Sequence, residues 1–563
     1  MKYAWILLSF CFLPALYGAD NRITVDAPLK IPLLLSGNFG ELRGNHFHTG
    51  LDFKTQGRTG LPVYAADDGY VSRINVSPYG YGQALYIDHP SGITTVYAHL
   101  DRYAPFIGQV VREKQYEQES YSVDFTPDDR IEVKRGQLIA YSGNTGSSGG
   151  PHLHFEIRDT PSEKPLNPAP YFLTNLTDTR LPAVRNVALY PVPGRGVVNG
   201  SSSRLVYTPT AAPDGKYTVT GSCTGWGDLY LGVKAYDYMD HTTNTYGIYS
   251  MKIFVDDSLL CSFKMDTLSF DESRAINTFI DYGDWNQNRS FYMRSYVAPG
   301  NRLPIYTGVA NQGIFTIRQE KVYRVRYELS DIYGNTARID MKVTGKKQPI
   351  PEHVCSENEY PLSCDRKNVV KGKGLYWEVP KGAFYDDVDL LYRYKERPGY
   401  YSAVHTLGDG TIPLHLNTTL TIDVLNDTLP DKTKYYVARL GQKADVSCGG
   451  VYESGRMTAT IRDLGSFAVK ADRMPPVITP LGQEKWGSTG NIRFRIGDAG
   501  SGVASFRGEI DGKFALFALD GKTSVVQCTL DSSRIEKGKK HRLQFEVIDG
   551  CGNKKQFTSE FYW

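Results

Sequence analysis

Gly149-Gly150-Pro151-His152-Leu153-His154-Phe155-Glu156-Ile157 is the stretch on which the reading of this chain turns. Two histidines two residues apart, set among β-favouring residues, put both imidazoles on one face of an extended strand, because successive strand side chains point to opposite faces. Glu156 falls on the same face. Two imidazoles make half of a metal or catalytic site, so the other half has to come from elsewhere in the chain.

Upstream, residues 31–158 read as short β-runs separated by glycine turns, as in Gly69-Tyr70-Val71-Ser72-Arg73-Ile74 and Ala84-Leu85-Tyr86-Ile87-Asp88. That punctuation predicts a compact all-β domain. Within it, Gly44-Asn45-His46-Phe47-His48-Thr49-Gly50-Leu51-Asp52 follows a strand-turn path, on which His48 and Asp52 can converge on one ion. In Thr95-Val96-Tyr97-Ala98-His99 the alternation places Thr95, Tyr97 and His99 on one side, adding a further imidazole. His46 is expected at the periphery, and His89, at a turn before Pro90, is expected to face solvent.

His48-x3-Asp52, Tyr97-x-His99, Gly136-Gln137-Leu138-Ile139, Gly143-Asn144-Thr145-Gly146 and His152-x-His154, in this order, resemble the M23 family of zinc metallopeptidases, the lysostaphin type. The likeness runs over residues 36 to 160, about a quarter of the chain. It implies one zinc ion per chain on His48, Asp52 and His154, with His99 and His152 flanking the metal as catalytic residues. Two neutral imidazoles and one carboxylate suit this, since a catalytic zinc keeps three protein ligands and an open position. The implied chemistry is hydrolysis at a zinc-polarised carbonyl, one flanking imidazole handling the proton and the other the oxyanion. Which of His99 and His152 does which stays open. Glu156 is expected either to orient a ligand or to form a surface ion pair.

Two features depart from the family pattern. His46 stands where many members carry arginine. The polar stretch between Gln109 and Arg135 is longer than usual, and is expected either to wall the substrate groove or to form a solvated loop.

Met1-Lys2-Tyr3, an apolar run from Ala4 to Leu16, and then Gly18 and Ala19 have the order of a secretory signal peptide over residues 1–19. About 13 apolar residues fall short of the roughly 20 that span a bilayer, and no later stretch is long enough. The mature protein is therefore expected to be exported, with no integral membrane segment; the family resemblance implies a bacterium, and with it the periplasm or cell envelope. Lys and Arg number 64 against 61 Asp and Glu, so no basic field argues for nucleic acid. Beyond the signal stand seven cysteines, of which Cys355 with Cys364, or Cys528 with Cys551, have spacings compatible with disulfides.

The rest of the chain repeats itself. Arg324-Val325-Arg326-Tyr327-Glu328-Leu329-Ser330-Asp331-Ile332-Tyr333-Gly334-Asn335 is echoed at 542–553, and Gly247–Asp257 at 502–512. Alternating strands that end in Asp-x-x-Gly-Asn turns predict two related immunoglobulin-like β-sandwiches. The expected division is a peptidase domain at 20–175, a sandwich with an insertion at 176–348, a β-rich domain of no assigned family at 349–473, and a second sandwich at 474–563. The resulting expectation is an exported zinc endopeptidase, acting on peptidoglycan as the M23 resemblance implies, with β modules that localise it or bind protein partners. The alternatives are a catalytically silent cell-envelope binding protein and a zinc peptidase acting on a protein.

Overall fold

Alternation about His152 folds as a strand at the centre of a sheet. The structure, a computed structural model, describes residues 24–563, and the expected signal segment lies outside them. Among the described residues no helix is long and apolar enough to cross a membrane.

The peptidase-like region is built on β1 (Leu35–Gly37), β2 (Leu51–Lys54), β3 (Gly69–Val76), β4 (Gln83–Asp88), β5 (Ile93–Ala98), β6 (Val123–Phe125) and β7 (His152–Asp159). These lie in the order β1-β2-β7-β5-β4-β3-β6, every pairing antiparallel. β7 pairs with β2 in the register His154 to Asp52 and Phe155 to Leu51, and with β5 in the register His154 to Ala98 and Phe155 to Tyr97. One face thus carries Leu51, Phe53, Tyr97, Leu153 and Phe155, all fully buried. Phe172 packs edge-on against Phe53 and Phe155 at 5.4 and 5.8 Å. Burying side chains of this size stabilises by about 1.5–3 kcal/mol each, and that fixes which face is left for chemistry.

The polar stretch after His99 opens within a helix and continues irregularly over residues 118–122 and 126–131. Residues Pro105–Glu117 form a helix, α1, with Pro105 at its first position, where the missing N–H costs no hydrogen bond. Ile107, Val111 and Gln115, spaced at four, face inward. The outer side meets the last module: Arg112 pairs with Asp531 at 2.7 Å, and Tyr116 packs on Phe514 and under Arg534.

The first β module departs from a plain two-sheet sandwich. Strands 183–198 and 224–236 pair over most of their length. Parallel pairing of 224–225 with 344–345, and of 216–218 with 338–340, joins its halves into one 12-stranded hydrogen-bonded network. Its buried side chains are continuous with those of the peptidase sheet, Phe47 meeting Phe279 at 5.9 Å. Residues 359–471 form a six-stranded and a five-stranded sheet, and the last module two four-stranded sheets.

The repeat is structural as well as sequential. Asp256 and Asp511 both take left-handed φ, 47° and 52°, and accept from the backbone N–H of Arg324 and Arg542 at 2.9 and 2.8 Å. In each Asp-x-x-Gly-Asn turn the final asparagine N–H donates to the aspartate at 2.8 Å. Its side-chain amide donates to a carbonyl of the incoming linker, Asn335 to Asp178 at 3.2 Å and Asn553 to Asp472 at 3.1 Å. The turn is a clamp on the chain that enters the module.

Two expectations are overturned. All seven cysteines beyond the signal are unpaired: Cys528 faces the core of the last sandwich, whereas Cys551 packs with Tyr436 and Ala438 of the preceding domain. His89 is buried, not solvent-facing, its ring nitrogens held by the Asp68 carbonyl at 2.8 Å and by Thr95 Oγ1 at 2.7 Å. Asn553→Ala removes two side-chain donors from a buried turn. We expect it to lower the stability of the last module by about 1–3 kcal/mol, read by calorimetry as a shift of that transition while the peptidase transition stays in place. Coincident transitions in the variant and the parent would show that the clamp carries no stability.

Candidate functional site

The register that buries Phe155 turns His152, His154 and Glu156 to the opposite face together with Asp52 of β2. His48 arrives from outside the strands. Its path requires Gly50, where a Cβ would lie 2.4 Å from the Phe155 carbonyl oxygen. His48 Nε2, Asp52 Oδ1 and His154 Nδ1 form a triangle with sides of 2.9, 2.9 and 3.0 Å. A tetrahedral ion with bonds of about 2.0–2.1 Å has ligand edges of about 3.3 Å, so this triangle needs only a slight opening to become three corners of a zinc site. All three residues are 4% exposed.

Partners behind the triangle set the tautomers. His48 Nδ1–H donates to the Asn38 carbonyl at 2.7 Å, which leaves the Nε2 lone pair aimed at the centre. His154 Nε2 lies 2.8 Å from Glu156 Oε1, so its Nδ1 is the nitrogen turned toward His48 and Asp52. Glu156 is fully buried, which removes the surface ion-pair reading: it accepts from Tyr81 Oη at 2.6 Å, from Thr49 Oγ1 and from Arg158 at 2.6 Å. Arg43, on the short strand Leu42–Arg43 paired with His46–Phe47, donates to Asp52 Oδ2 at 2.8 Å.

The electrostatics are those of a held cluster. Burial alone would raise the Asp52 carboxyl, but His48 and the two other imidazoles outweigh it and hold it well below the usual carboxylate range. Burial likewise opposes charge on Glu156, yet Arg158 and His154 keep it ionised. Burial lowers His48. Against burial, hydrogen bonds to Asp52 and Glu156 raise His154 to about 9.

His99 and His152 stand beside the triangle. Their ring centroids are 4.8 Å apart, and that of His99 is 5.7 Å from His154. His99 Nδ1 lies 2.9 Å from the Thr145 carbonyl, and His152 Nδ1 2.8 Å from the Gly150 carbonyl, so each donates from Nδ1 and keeps Nε2 as an acceptor. His152 Nε2 lies 3.3 Å from Asp52 Oδ1 but is misaligned for a hydrogen bond, and it has no other partner. Burial, reinforced by His154 and His152, lowers His99 to about 3.

His99 does not reach the site by strand alternation. Thr95 and Tyr97 face the core, where Thr95 Oγ1 donates to Tyr97 Oη at 3.1 Å. β5 ends at Ala98, and His99 swings across to the other face through a left-handed φ of 58°. His46 is exposed, its Nδ1 2.8 Å from the Gly44 carbonyl.

Sequence reading had not singled out Asn38, Arg43, Tyr81 or Arg158, and it gave Thr145 no role within its motif. Arg158 carries a signal, since it lies two residues from Glu156 on the same strand face; the others come from loops or from a two-residue strand. The loop 143–150 that holds both flanking histidines is closed on the 80–82 turn through Gly146, whose Cβ would meet Gly82 N at 2.3 Å. Lys522 of the last module donates to the Asn144 carbonyl on the same loop.

Residues 46–116 and 121–168 match the profile of "Peptidase family M23", and residues 359–472 that of a "Zu5-like domain", which supplies a family for the unassigned β-rich region. The chain is similar to peptidoglycan DD-endopeptidase ShyB of Vibrio cholerae, 39% identical over 110 residues, 20% of each protein. It is also similar to the DD-carboxypeptidase/endopeptidase Mpg of Neisseria meningitidis, 33% identical over 121 residues, 22% of each. A solved zinc-containing peptidase from Vibrio cholerae is 30% identical, covering 26% of this chain and 39% of that chain at a TM-score of 0.20. The matches span about a fifth of the length of the two curated relatives. With its five histidine and aspartate positions inside the matched segments, the chain carries a peptidase family M23 domain.

Proposed function

We propose that this chain is an exported zinc endopeptidase that hydrolyses peptide bonds in peptidoglycan stem peptides or cross-links, in the periplasm or cell envelope of a bacterium. The observation that carries the reading is the triangle of His48 Nε2, Asp52 Oδ1 and His154 Nδ1, backed on one side by Glu156 and flanked on the other by two imidazoles with free Nε2 atoms. The substrate class is supported by the likeness of the matched segment to enzymes named peptidoglycan endopeptidases. The proposed division is a peptidase domain at 20–175, β modules at 176–348 and 474–563, and the Zu5-like region between them; the β modules localise the enzyme or meet protein partners.

His48, Asp52 and His154 hold the metal, and the donor set of two imidazoles and a carboxylate fits zinc. Bound there, zinc supplies a Lewis acid that polarises the scissile carbonyl and makes water more acidic. Glu156 and the Asn38 carbonyl keep the two ligand imidazoles from rotating. His99, which burial keeps neutral, and His152 each offer Nε2 to a proton from the attacking water or to the substrate side, with Nδ1 anchored on the 143–150 loop.

Purified mature protein, incubated on isolated peptidoglycan with zinc or with a chelator, should release stem-peptide fragments identifiable by mass only in the first case; a fully zinc-loaded protein that releases none would overturn the reading. His48→Ala or Asp52→Ala should lower zinc retention by 10-fold or more, whereas His99→Ala should keep zinc and lose turnover by roughly 10²–10⁴-fold. Metal loss in the His99 variant would refute its assignment as a catalytic residue.

His154 also makes metal binding pH-dependent. In the metal-free fold its cation is held between Asp52 and Glu156, and the stability it contributes is full below the unfolded value near 6.5 and lost as pH rises through about 9. Zinc must displace the Nδ1 proton, so affinity should fall as pH drops below about 9, with close to one proton released per site at pH 7 from this residue. Calorimetry in buffers of different ionisation enthalpy measures that proton directly, and a heat independent of buffer would contradict it.

A further inference from the structure

Three carboxylates with no part in the peptidase site converge where the chain passes into the first β module. Asp178 lies in the connecting segment, Asp237 just beyond strand 224–236 and Asp331 just beyond strand 322–330. Each offers an oxygen within 4.8 Å of the others, and all three are buried. They line a cavity of about 30 Å³, walled by Leu35, Phe39, Leu51 and Leu176, with room for a single ion or water.

The donors available do not match the acceptors. Asp331 takes the Asn335 N–H at 2.8 Å and its side-chain amide at 2.6 Å, and Asp178 Oδ1 takes the Arg180 N–H at 2.9 Å. Asp237, 4% exposed, keeps Oδ1 buried with no hydrogen-bond partner. Arg180, whose charge acts on Asp237, is turned onto the Tyr238 ring at 4.8 Å and the Met239 carbonyl. Burial and the neighbouring carboxylates push Asp178 up to about 7 and Asp237 up to about 8.

The last module shows what the same architecture looks like when it is complete. Its equivalent cluster, Asp472, Asp498 and Asp549, is equally close. There Asp472 Oδ2 accepts from Ser501 N and Oγ at 2.8 and 2.6 Å. Asp498 Oδ2 accepts from Gly500 N and Gly502 N at 2.9 and 2.7 Å. Asp549 accepts from Cys551 N and Asn553 N, and from the Asn553 amide. Uncharged donors satisfy that trio, whereas the first trio lacks the set that would satisfy Asp237. A buried acceptor left without a donor costs about 1–3 kcal/mol, more when charged, which a directly bound cation would reverse.

We propose that Asp178, Asp237 and Asp331 bind a Ca²⁺ ion that pins the first β module to the peptidase domain. The donors are oxygens alone, with no imidazole or thiolate in the cluster, so the site is built for a hard cation and not for zinc. Mg²⁺ keeps several waters in an octahedral shell, which a cavity of about 30 Å³ does not hold, whereas Ca²⁺ accepts irregular coordination by carboxylates and carbonyls.

The test uses the whole mature chain, stripped of metal and reloaded with one equivalent of zinc. Adding Ca²⁺ alone should produce saturable binding by calorimetry and a concentration-dependent rise in melting temperature, and Mg²⁺ at equal concentration a much smaller one. Asp237→Asn, and separately Asp178→Asn, should each weaken Ca²⁺ binding by 10-fold or more and abolish the thermal shift while zinc content stays at one per chain. Asp498→Asn should leave the Ca²⁺ response intact. Absence of a Ca²⁺-dependent shift up to millimolar concentration in the parent overturns the proposal. So does a shift preserved in both Asp178 and Asp237 variants, or an equal response to Mg²⁺. Circular dichroism confirms that each variant is folded, and of the two substitutions the one that folds decides.

Discussion

Everything at the peptidase site depends on one antiparallel register, His154 opposite Asp52 with Phe155 opposite Leu51. Side chains on a strand alternate with a period of two, so a slip by one residue would carry His154 into the core and Phe155 out of it. The apolar face prevents that slip. Leu51, Phe53, Leu153 and Phe155 are each fully buried, and reversing them would cost several kcal/mol, far more than the imidazoles could recover by themselves. The face that carries His154 and Asp52 is specified by the apolar face behind it.

A buried charge network then gives that face its rigidity. Glu156 and Arg158 sit two residues apart on β7 with almost no solvent access, and Tyr81 and Thr49 satisfy further oxygen positions on the carboxylate. Removing one member of such a pair typically costs about 3–5 kcal/mol, because the other charge stays buried without its partner. Glu156 touches His154 directly, so the stability of the network and the orientation of the His154 imidazole are the same interaction.

The parts of this molecule legible in its sequence are those written in local periodicity. The all-β character followed from short alternating runs between glycine turns, and the pairs His48 with Asp52 and His152 with His154 from residues spaced to share a face; that the two pairs meet was implied by the family resemblance alone. What escaped depended on single backbone angles or on remote packing. His99 arrives through a left-handed φ that alternation cannot express, and it reaches the face opposite to the one its spacing indicated. His89 is buried because Thr95 and the Asp68 carbonyl happen to meet both ring nitrogens. Helix α1 was hidden by the polarity of its outer residues, of which Arg112 and Tyr116 reach a module some 400 residues further along the chain. The spacing of Cys528 and Cys551 in sequence said nothing of their orientation, one thiol toward a sandwich core and the other toward a neighbouring domain.

The internal repeat was legible as a sign of two related modules, but not as a device. Its asparagine grips the incoming linker in both copies, so the duplicated unit includes the last residues before each module and not only the module itself. That explains why Asp178 and Asp472, which precede the repeats, take part in the acidic clusters at all. Where the two copies differ is in what balances those acids. Ser501 and the glycines at 500 and 502 supply hydroxyl and N–H donors in the last module, at a turn that begins the 502–512 segment. In the first copy the segment after Asp237 instead runs through Met239 to Tyr246, whose hydroxyl donates to the Leu35 carbonyl at 2.8 Å and so docks on the peptidase domain. The chain that would have supplied the missing donors has been used to build the interdomain contact, and the carboxylates at that contact are left for something else to neutralise.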